Sequence, residues 1–153
     1  FQVFQLIEQC PPLDLNSSYC NILQCSHFSS SSVLAHVGEQ VVGFISAYRL
    51  PDKPDTLFVW QVATADAARG CGLASHMLVP ILERPAQRAV RYLGTPITAD
   101  NAASWGLFKK LAKTLSTACE ASPWLDEHDH FAGSHPSESL VRIGPFTSKR
   151  EQQ

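Results

Sequence analysis

A glycine-rich turn between an apolar strand and a helical pattern is the part of this sequence best suited to chemistry. It reads Arg69-Gly70-Cys71-Gly72-Leu73-Ala74 and follows a run of apolar residues at positions 57–63. Where a helix begins at such a turn, its unpaired backbone N–H groups and the positive end of its dipole point at one spot. The turn is therefore predicted to bind a phosphate group.

The elements around this turn follow from the hydrophobic pattern. Residues 33–48 read as a β-hairpin, and residues 56–63 as a third strand, nearly continuously apolar and so buried on both faces. A helix starts at Gly72 and ends at Pro85, which makes a fourth strand at residues 90–95 parallel to the third. The pattern predicts a mixed, mostly antiparallel sheet flanked by helices, an α/β fold of the α+β kind.

Further elements are weaker in the sequence. One short helix is expected at residues 3–9, and a second begins at the N-cap Asn16 or Ser17. Asn101 can cap another helix, and residues 139–143 read as a last strand. No strand is predicted in the polar stretch after Cys119. We therefore expect one domain over residues 1–147 and a disordered tail over residues 148–153.

The composition excludes several classes of protein. The chain has 153 residues, 44% hydrophobic and 17% charged, with a net charge of −2. This suits one globular domain, and a chain with no basic run is a poor candidate for nucleic-acid binding. No apolar run is long enough to cross a membrane. The five cysteines are odd in number and lack paired spacing, which favours a reduced, cytoplasmic compartment.

Two clusters deserve a test as metal sites. Cys20, Cys25 and His27 do not have the spacing of a metal knuckle, and buried cysteines are common as small apolar residues. The acidic and histidine residues at positions 127–130, with His135, form a polar loop that more often faces water. No metal is predicted.

The glycine turn and the helix after the fourth strand resemble the Gcn5-related N-acetyltransferase (GNAT) superfamily. The turn fits the pattern Arg/Gln-x-x-Gly-x-Gly/Ala, and the helix carries Asn101, Ser104 and Phe108. The resemblance implies that coenzyme A binds where the central strands splay apart, with its pyrophosphate on the loop amides. The implied cofactor-binding residues are Val62, Arg69, Gly70, Gly72, Leu73, Ala74, Asn101, Ser104 and Phe108.

Longer runs resemble the L-2,4-diaminobutyrate acetyltransferase family of ectoine synthesis. They are residues 13–19, 58–62, 97–104, 130–135 and 142–146. The resemblance implies acetyl transfer from acetyl-coenzyme A to the 4-amino group of L-2,4-diaminobutyrate, in a homodimer. The apolar residues 143–146 are a candidate for its interface. The sequence departs from the family at Gly94-Thr95-Pro96, where an acidic residue and consecutive threonines are usual.

This reaction needs an amine held for attack, a stabilised oxyanion and a proton for the leaving thiolate. The backbone N–H of Val62, at a predicted β-bulge, is our candidate oxyanion donor. Many relatives place a tyrosine acid on the Asn-capped helix, but residues 107–109 contain none. The matching tyrosine of the opening motif, Tyr19, is therefore the predicted acid, although a tyrosine at a helix start is more often a packing residue.

The substrate carries two ammonium groups and one carboxylate, so acidic side chains have a purpose. Asp14 and Glu138 are predicted to hold an ammonium group, Trp60 to face the substrate, and His135 to contact it or relay a proton. Three of them have an ordinary alternative: Asp14 favours a turn, Trp60 fits a core and His135 suits a solvated loop.

Two other functions are compatible with the same residues. One is a GNAT enzyme for another small primary amine, such as a polyamine or a different diamino acid. The other is a non-catalytic module that binds coenzyme A or a metal. Turnover rates on diaminobutyrate, ornithine, lysine and spermidine separate the three.

Overall fold

The computed structural model describes residues 1–147 and shows one six-stranded sheet with helices on both faces. The strands are β1 (Val33–Val37), β2 (Gln40–Leu50), β3 (Lys53–Thr64), β4 (Tyr92–Thr98), β5 (Cys119–Leu125) and β6 (Glu138–Ile143). The helices are α1 (Gln2–Glu8), α2 (Ser18–Ser26), α3 (Leu73–Leu82) and α4 (Ala102–Thr114). The predicted disordered tail, residues 148–153, lies outside the described residues.

The strand order is β1-β2-β3-β4-β6-β5, and the β3–β4 pair alone is parallel among these six strands. That pair is joined through α3, as a parallel connection requires. The predicted mixed, mostly antiparallel sheet is confirmed.

Two hydrophobic clusters hold the layers together. Phe44 and Ala63 pack with Val3, Leu6 and Ile7 of α1 on one face of the sheet. The larger cluster joins the other face to α3 and α4. Neighbouring residues of β2 thus serve opposite faces, as a strand's alternation demands, and both faces of the central strands are covered.

The sequence-based boundaries differ from the structure in three places. β3 begins at Lys53, so the predicted turn after Pro51 is shorter than expected, and β4 extends to Thr98. β5 was not predicted, because this edge strand is largely exposed and contains Pro123, so it lacks an apolar alternation. The two large side chains of the suggested interface at residues 143–146, Ile143 and Phe146, are buried in the chain's own core.

Helix α2 begins as predicted, because the Ser17 hydroxyl accepts a hydrogen bond from the Cys20 N–H at 3.1 Å. Its burial, however, is the reverse of the usual pattern. Asn21 and Gln24 are buried, whereas Tyr19 and Ile22 are exposed. None of the helices within residues 1–147 is long and apolar enough to span a bilayer.

Candidate active site

A cavity of about 570 Å³ lies where β3 and β4 separate. The two strands pair only from Thr56 with Tyr92 to Phe58 with Gly94. Beyond that point they diverge, and the cavity fills the gap. Its volume is typical of a small-molecule site.

The bulge in β3 sits at the mouth of this gap. Ser46 pairs with Gln61 and Ala47 with Val59, so Trp60 is the extra residue on β3. The Gln61 N–H donates to Ser46 Oγ at 3.2 Å, and the Ala65 N–H donates to the Val42 carbonyl at 2.9 Å, both toward β2. Because successive N–H groups alternate in a strand, the Val62 N–H points away from β2, into the gap.

The acidic end of the cavity combines residues from both ends of the chain. Asp14 lies on the turn before α2, His135 in the loop before β6, and Glu138 at the first position of β6. The His135 Nε2 is 3.8 Å from Asp14 Oδ2 and 3.9 Å from Glu138 Oε1. The structure therefore brings together three of the four residues predicted to bind the substrate, and Trp60 lines the same cavity.

Hydrogen bonding fixes the tautomer of His135. Its Nδ1 is 2.7 Å from the Pro136 carbonyl, and because a carbonyl oxygen only accepts, Nδ1 carries a proton. The Nε2 atom is therefore left facing the two carboxylates. Burial raises the pKa of the Glu138 carboxyl, a positive charge at the position of His135 would oppose this, and the nearby Asp14 carboxylate adds to it. Such an environment favours binding a cation.

Four aromatic rings form one wall of the cavity and its support. The ring centroids of Tyr48 and Phe58 are 5.5 Å apart, and Trp124 of β5 meets Phe58 edge-on at 5.6 Å. Phe28 packs behind Tyr48 at 6.0 Å. Burial raises the pKa of the Tyr48 phenol.

The predicted proton donor Tyr19 lies elsewhere. Its side chain, on α2, is 69% exposed and does not belong to the cavity wall. Tyr48 is the tyrosine that lines the cavity. Sequence reasoning missed Tyr48, since a tyrosine in an apolar strand gives no catalytic signal, and it missed Trp124 together with β5.

Of the predicted cofactor residues, Val62, Asn101, Ser104 and Phe108 line the cavity. The Asn101 side chain accepts a hydrogen bond from the Ser104 N–H at 3.1 Å and so caps α4. Phe108, in the position where relatives were expected to carry tyrosine, is buried.

The remaining predicted cofactor residues form the glycine turn and the start of α3. Gly70 and Gly72 have φ values of +77° and +78°, a conformation that favours glycine. Gly72 caps α3 without any side-chain hydrogen bond, which leaves the first N–H groups of the helix free of a side-chain cap. Leu73 and Ala74 supply two of those groups, and Arg69 pairs with Asp66 at 2.9 Å. The turn keeps the form expected of an anion-binding site.

Comparison with known proteins identifies the family. Residues 2–112 match the family model described as Acetyltransferase (GNAT) family. An L-2,4-diaminobutyric acid acetyltransferase of Methylotuvimicrobium alcaliphilum is 53% identical over 95% of this chain and 84% of its own length. The chain belongs to the L-2,4-diaminobutyric acid acetyltransferase family of GNAT enzymes.

Other relatives agree with this placement. The Vibrio parahaemolyticus L-2,4-diaminobutyric acid acetyltransferase is 50% identical over 92% of this chain and 78% of its own length. Among solved structures, the diaminobutyrate acetyltransferase of Paenibacillus lautus, in complex with L-2,4-diaminobutyric acid and coenzyme A, superposes with a TM-score of 0.91. It is 38% identical, over 95% of this chain and 88% of that one. The GNAT fold predicted from the sequence is confirmed.

Within residues 1–147, no group of three or more His, Cys, Asp or Glu side chains is arranged to hold a metal ion.

Proposed function

We propose that this protein transfers the acetyl group of acetyl-coenzyme A to the 4-amino group of L-2,4-diaminobutyrate, giving N4-acetyl-L-2,4-diaminobutyrate. The observation that carries the proposal is the cavity, which joins a splayed-strand edge to an end lined by two carboxylates. The family relationship supports the same substrate, because the Paenibacillus lautus relative is in complex with it and with coenzyme A.

The acidic end is suited to the ammonium group that stays charged. Glu138 is largely buried, with 18% of its side chain exposed, while Asp14 is 76% exposed. A buried carboxylate next to an ammonium group forms a strong charge-assisted hydrogen bond. We assign Glu138 as the main anchor, Asp14 and His135 as its neighbours, and Trp60 as a wall beside the methylene chain.

The reacting end uses the main chain of β3. When the amine attacks the thioester, the carbonyl oxygen of the thioester becomes an oxyanion. The Val62 N–H in the strand gap can donate a hydrogen bond to this oxyanion. Coenzyme A would lie along this gap, with its pyrophosphate on the turn of Arg69, Gly70 and Gly72. The thiolate then needs a proton. Tyr19 stays a predicted donor, while Tyr48 is the candidate that the cavity geometry favours.

We place the reaction in the cytoplasm, within ectoine synthesis and osmoadaptation. The five cysteines are free thiols, as expected in a reduced compartment. We also propose a homodimer, supported by the exposed apolar side chains Leu15, Tyr19 and Ile22, since such patches often mark interfaces. Light scattering should give twice the mass of the chain. A monomer at working concentration would refute the dimer.

A substrate panel tests the proposed reaction. Diaminobutyrate, ornithine, lysine and spermidine are compared by kcat/KM with acetyl-coenzyme A, and the acetylated nitrogen is located by NMR. We expect diaminobutyrate to be preferred, with acetylation on N4. Equal rates on all four amines would favour a general amine acetyltransferase, and coenzyme A binding without turnover would favour a non-catalytic module.

A further inference from the structure

Gln61 makes three hydrogen bonds that join the bulge of β3 to the segment carrying Asp14. Its Nε2 donates to the Asp14 carbonyl at 2.9 Å, and its Oε1 accepts from Asn16 Nδ2 at 2.7 Å. Its backbone N–H donates to Ser46 Oγ at 3.2 Å. The residue is only 5% exposed, so these bonds replace contacts with water that it has lost.

The bulge explains why a glutamine lies here. Leu57 and Val59 face the large core with α3 and α4, and a regular strand would direct residue 61 to the same side. The extra residue Trp60 inverts the alternation, so that Val62 packs against that core instead. Gln61 is thereby turned to the face where the turn before α2 passes.

That turn has few other restraints. Residues 13–16 belong to no helix or strand, and the Asp14 side chain is mostly exposed. The Gln61 amide holds the segment at two points, the carbonyl of Asp14 itself and the side chain of Asn16. A buried side-chain amide whose nitrogen and oxygen are both hydrogen-bonded has a fixed orientation. The loop that carries Asp14 needs such a fixed partner to hold its carboxylate in place.

We propose that Gln61 is a positioning residue that holds the Asp14 segment at a fixed separation from the Val62 N–H. The inference rests on the proposed function, in which the Asp14 end holds the amine and the Val62 end receives the oxyanion. One residue joins the two ends, since Gln61 directly precedes Val62 in the bulge. Misplacement by about 1 Å can cost on the order of 100-fold in rate, so such a link has kinetic weight.

The test compares two buried glutamines. Gln61→Leu removes the side-chain amide and with it both hydrogen bonds to the Asp14 segment. We expect the KM for diaminobutyrate to rise on the order of 10–100-fold and kcat to fall. The Kd for coenzyme A should be unchanged. Gln87→Leu is the control, because Gln87 is 2% exposed and also donates to a backbone carbonyl, that of Ser30, away from the cavity. It should lower Tm while leaving both kinetic constants unchanged.

Two more variants keep the test decisive if Gln61→Leu folds poorly. Asn16→Ala removes one of the two hydrogen bonds of the Gln61 side chain, the one donated by the partly exposed Asn16. It should raise the KM for diaminobutyrate by a smaller factor than Gln61→Leu does. Gln61→Glu keeps the oxygen that accepts from Asn16, but it replaces the nitrogen that donates to the Asp14 carbonyl with a second oxygen, which repels that carbonyl. Its KM for diaminobutyrate should therefore stay above that of the wild type. The Asn16→Ala and Gln61→Leu effects should be non-additive, because they break one network.

The outcomes separate the inference from the proposed function. If the wild type acetylates diaminobutyrate and these variants lose only Tm, as Gln87→Leu does, Gln61 is structural and the inference is overturned. If the wild type does not acetylate diaminobutyrate, the proposed function fails before any variant is compared.

Discussion

The glycine turn and the acidic end of the cavity differ in how the chain builds them. The turn is six consecutive residues whose backbone N–H groups we propose to bind the pyrophosphate, and the positive φ values of Gly70 and Gly72 give it its conformation. The acidic end takes Asp14 and Glu138 from opposite ends of the chain. Under the proposed function, a local motif therefore binds a common cofactor, while the choice of substrate depends on long-range packing.

The largest expected effect lies at the acidic end. Glu138→Gln keeps the shape of the side chain but removes its charge, and we expect kcat/KM for diaminobutyrate to fall on the order of 100- to 1,000-fold, because a buried ammonium loses its partner. The Kd for coenzyme A, measured by calorimetry, should not change. Glu120→Gln, an exposed glutamate on β5, serves as the control. An unchanged kcat/KM in Glu138→Gln would show that Glu138 does not determine the specificity for diaminobutyrate.

The next effect separates two tyrosines. Tyr48→Phe keeps the ring contacts with Phe28 and Phe58 but removes the hydroxyl, and we expect kcat to fall roughly 100-fold, as for loss of a general acid. Tyr19→Phe, on the exposed face of α2, should change kcat little. Pre-steady-state release of free thiol measures the step directly. The opposite order of effects would assign the proton donor to Tyr19.

The turn should respond to backbone strain with a smaller, cofactor-specific effect. Gly72→Val forces a β-branched residue to a φ of +78°, and we expect the Kd for coenzyme A to rise about 10- to 100-fold. The KM for diaminobutyrate at saturating acetyl-coenzyme A should be unchanged. Gly38→Val, at a φ of +59° in the β1–β2 turn, imposes similar strain away from the cavity. Equal losses in both variants would mean that only stability was affected.

The smallest effect is on stability, through the raised pKa of Glu138. A carboxyl whose pKa is higher in the folded protein than the ordinary value of 4.5 opposes folding once it ionises, because the folded state holds its proton more tightly. Glu138→Gln should therefore be more stable than the wild type at neutral pH. The gain in Tm should shrink as the pH falls through the folded pKa and vanish below pH 4.5, where the carboxyl is protonated in both states. A constant gain across that range would rule out titration as its cause.

Much of the fold was predictable because its signals are local. The hairpin, the third strand and the two helices that begin at Gly72 and Asn101 each carry an apolar pattern and a start signal in the sequence. β5 has neither, and its place at the sheet edge depends on pairing with β6. The burial of Asn21 and Gln24 in α2 also has no sequence signal.

Four side chains of the candidate site were predictable from the sequence, but Tyr48, Trp124 and the arrangement itself were not. Asp14, Trp60, His135 and Glu138 line one cavity, as the family resemblance implied for the substrate site. Gln61 had a sequence signal of its own, since a single amide in an apolar strand must find hydrogen-bond partners. Those partners lie about 45 residues earlier in the chain, so only the fold identifies them.

The Val62 N–H has a consequence for how this enzyme can be dissected and how it can vary. The group belongs to the main chain, and every amino acid except proline carries it. A side-chain scan across β3 would therefore leave it untouched and report no catalytic residue at position 62. Replacing the amide with an ester by chemical ligation exchanges that N–H for an oxygen and so removes the donor. Because the donor belongs to the main chain, we also expect wide tolerance for apolar residues at this position among active variants.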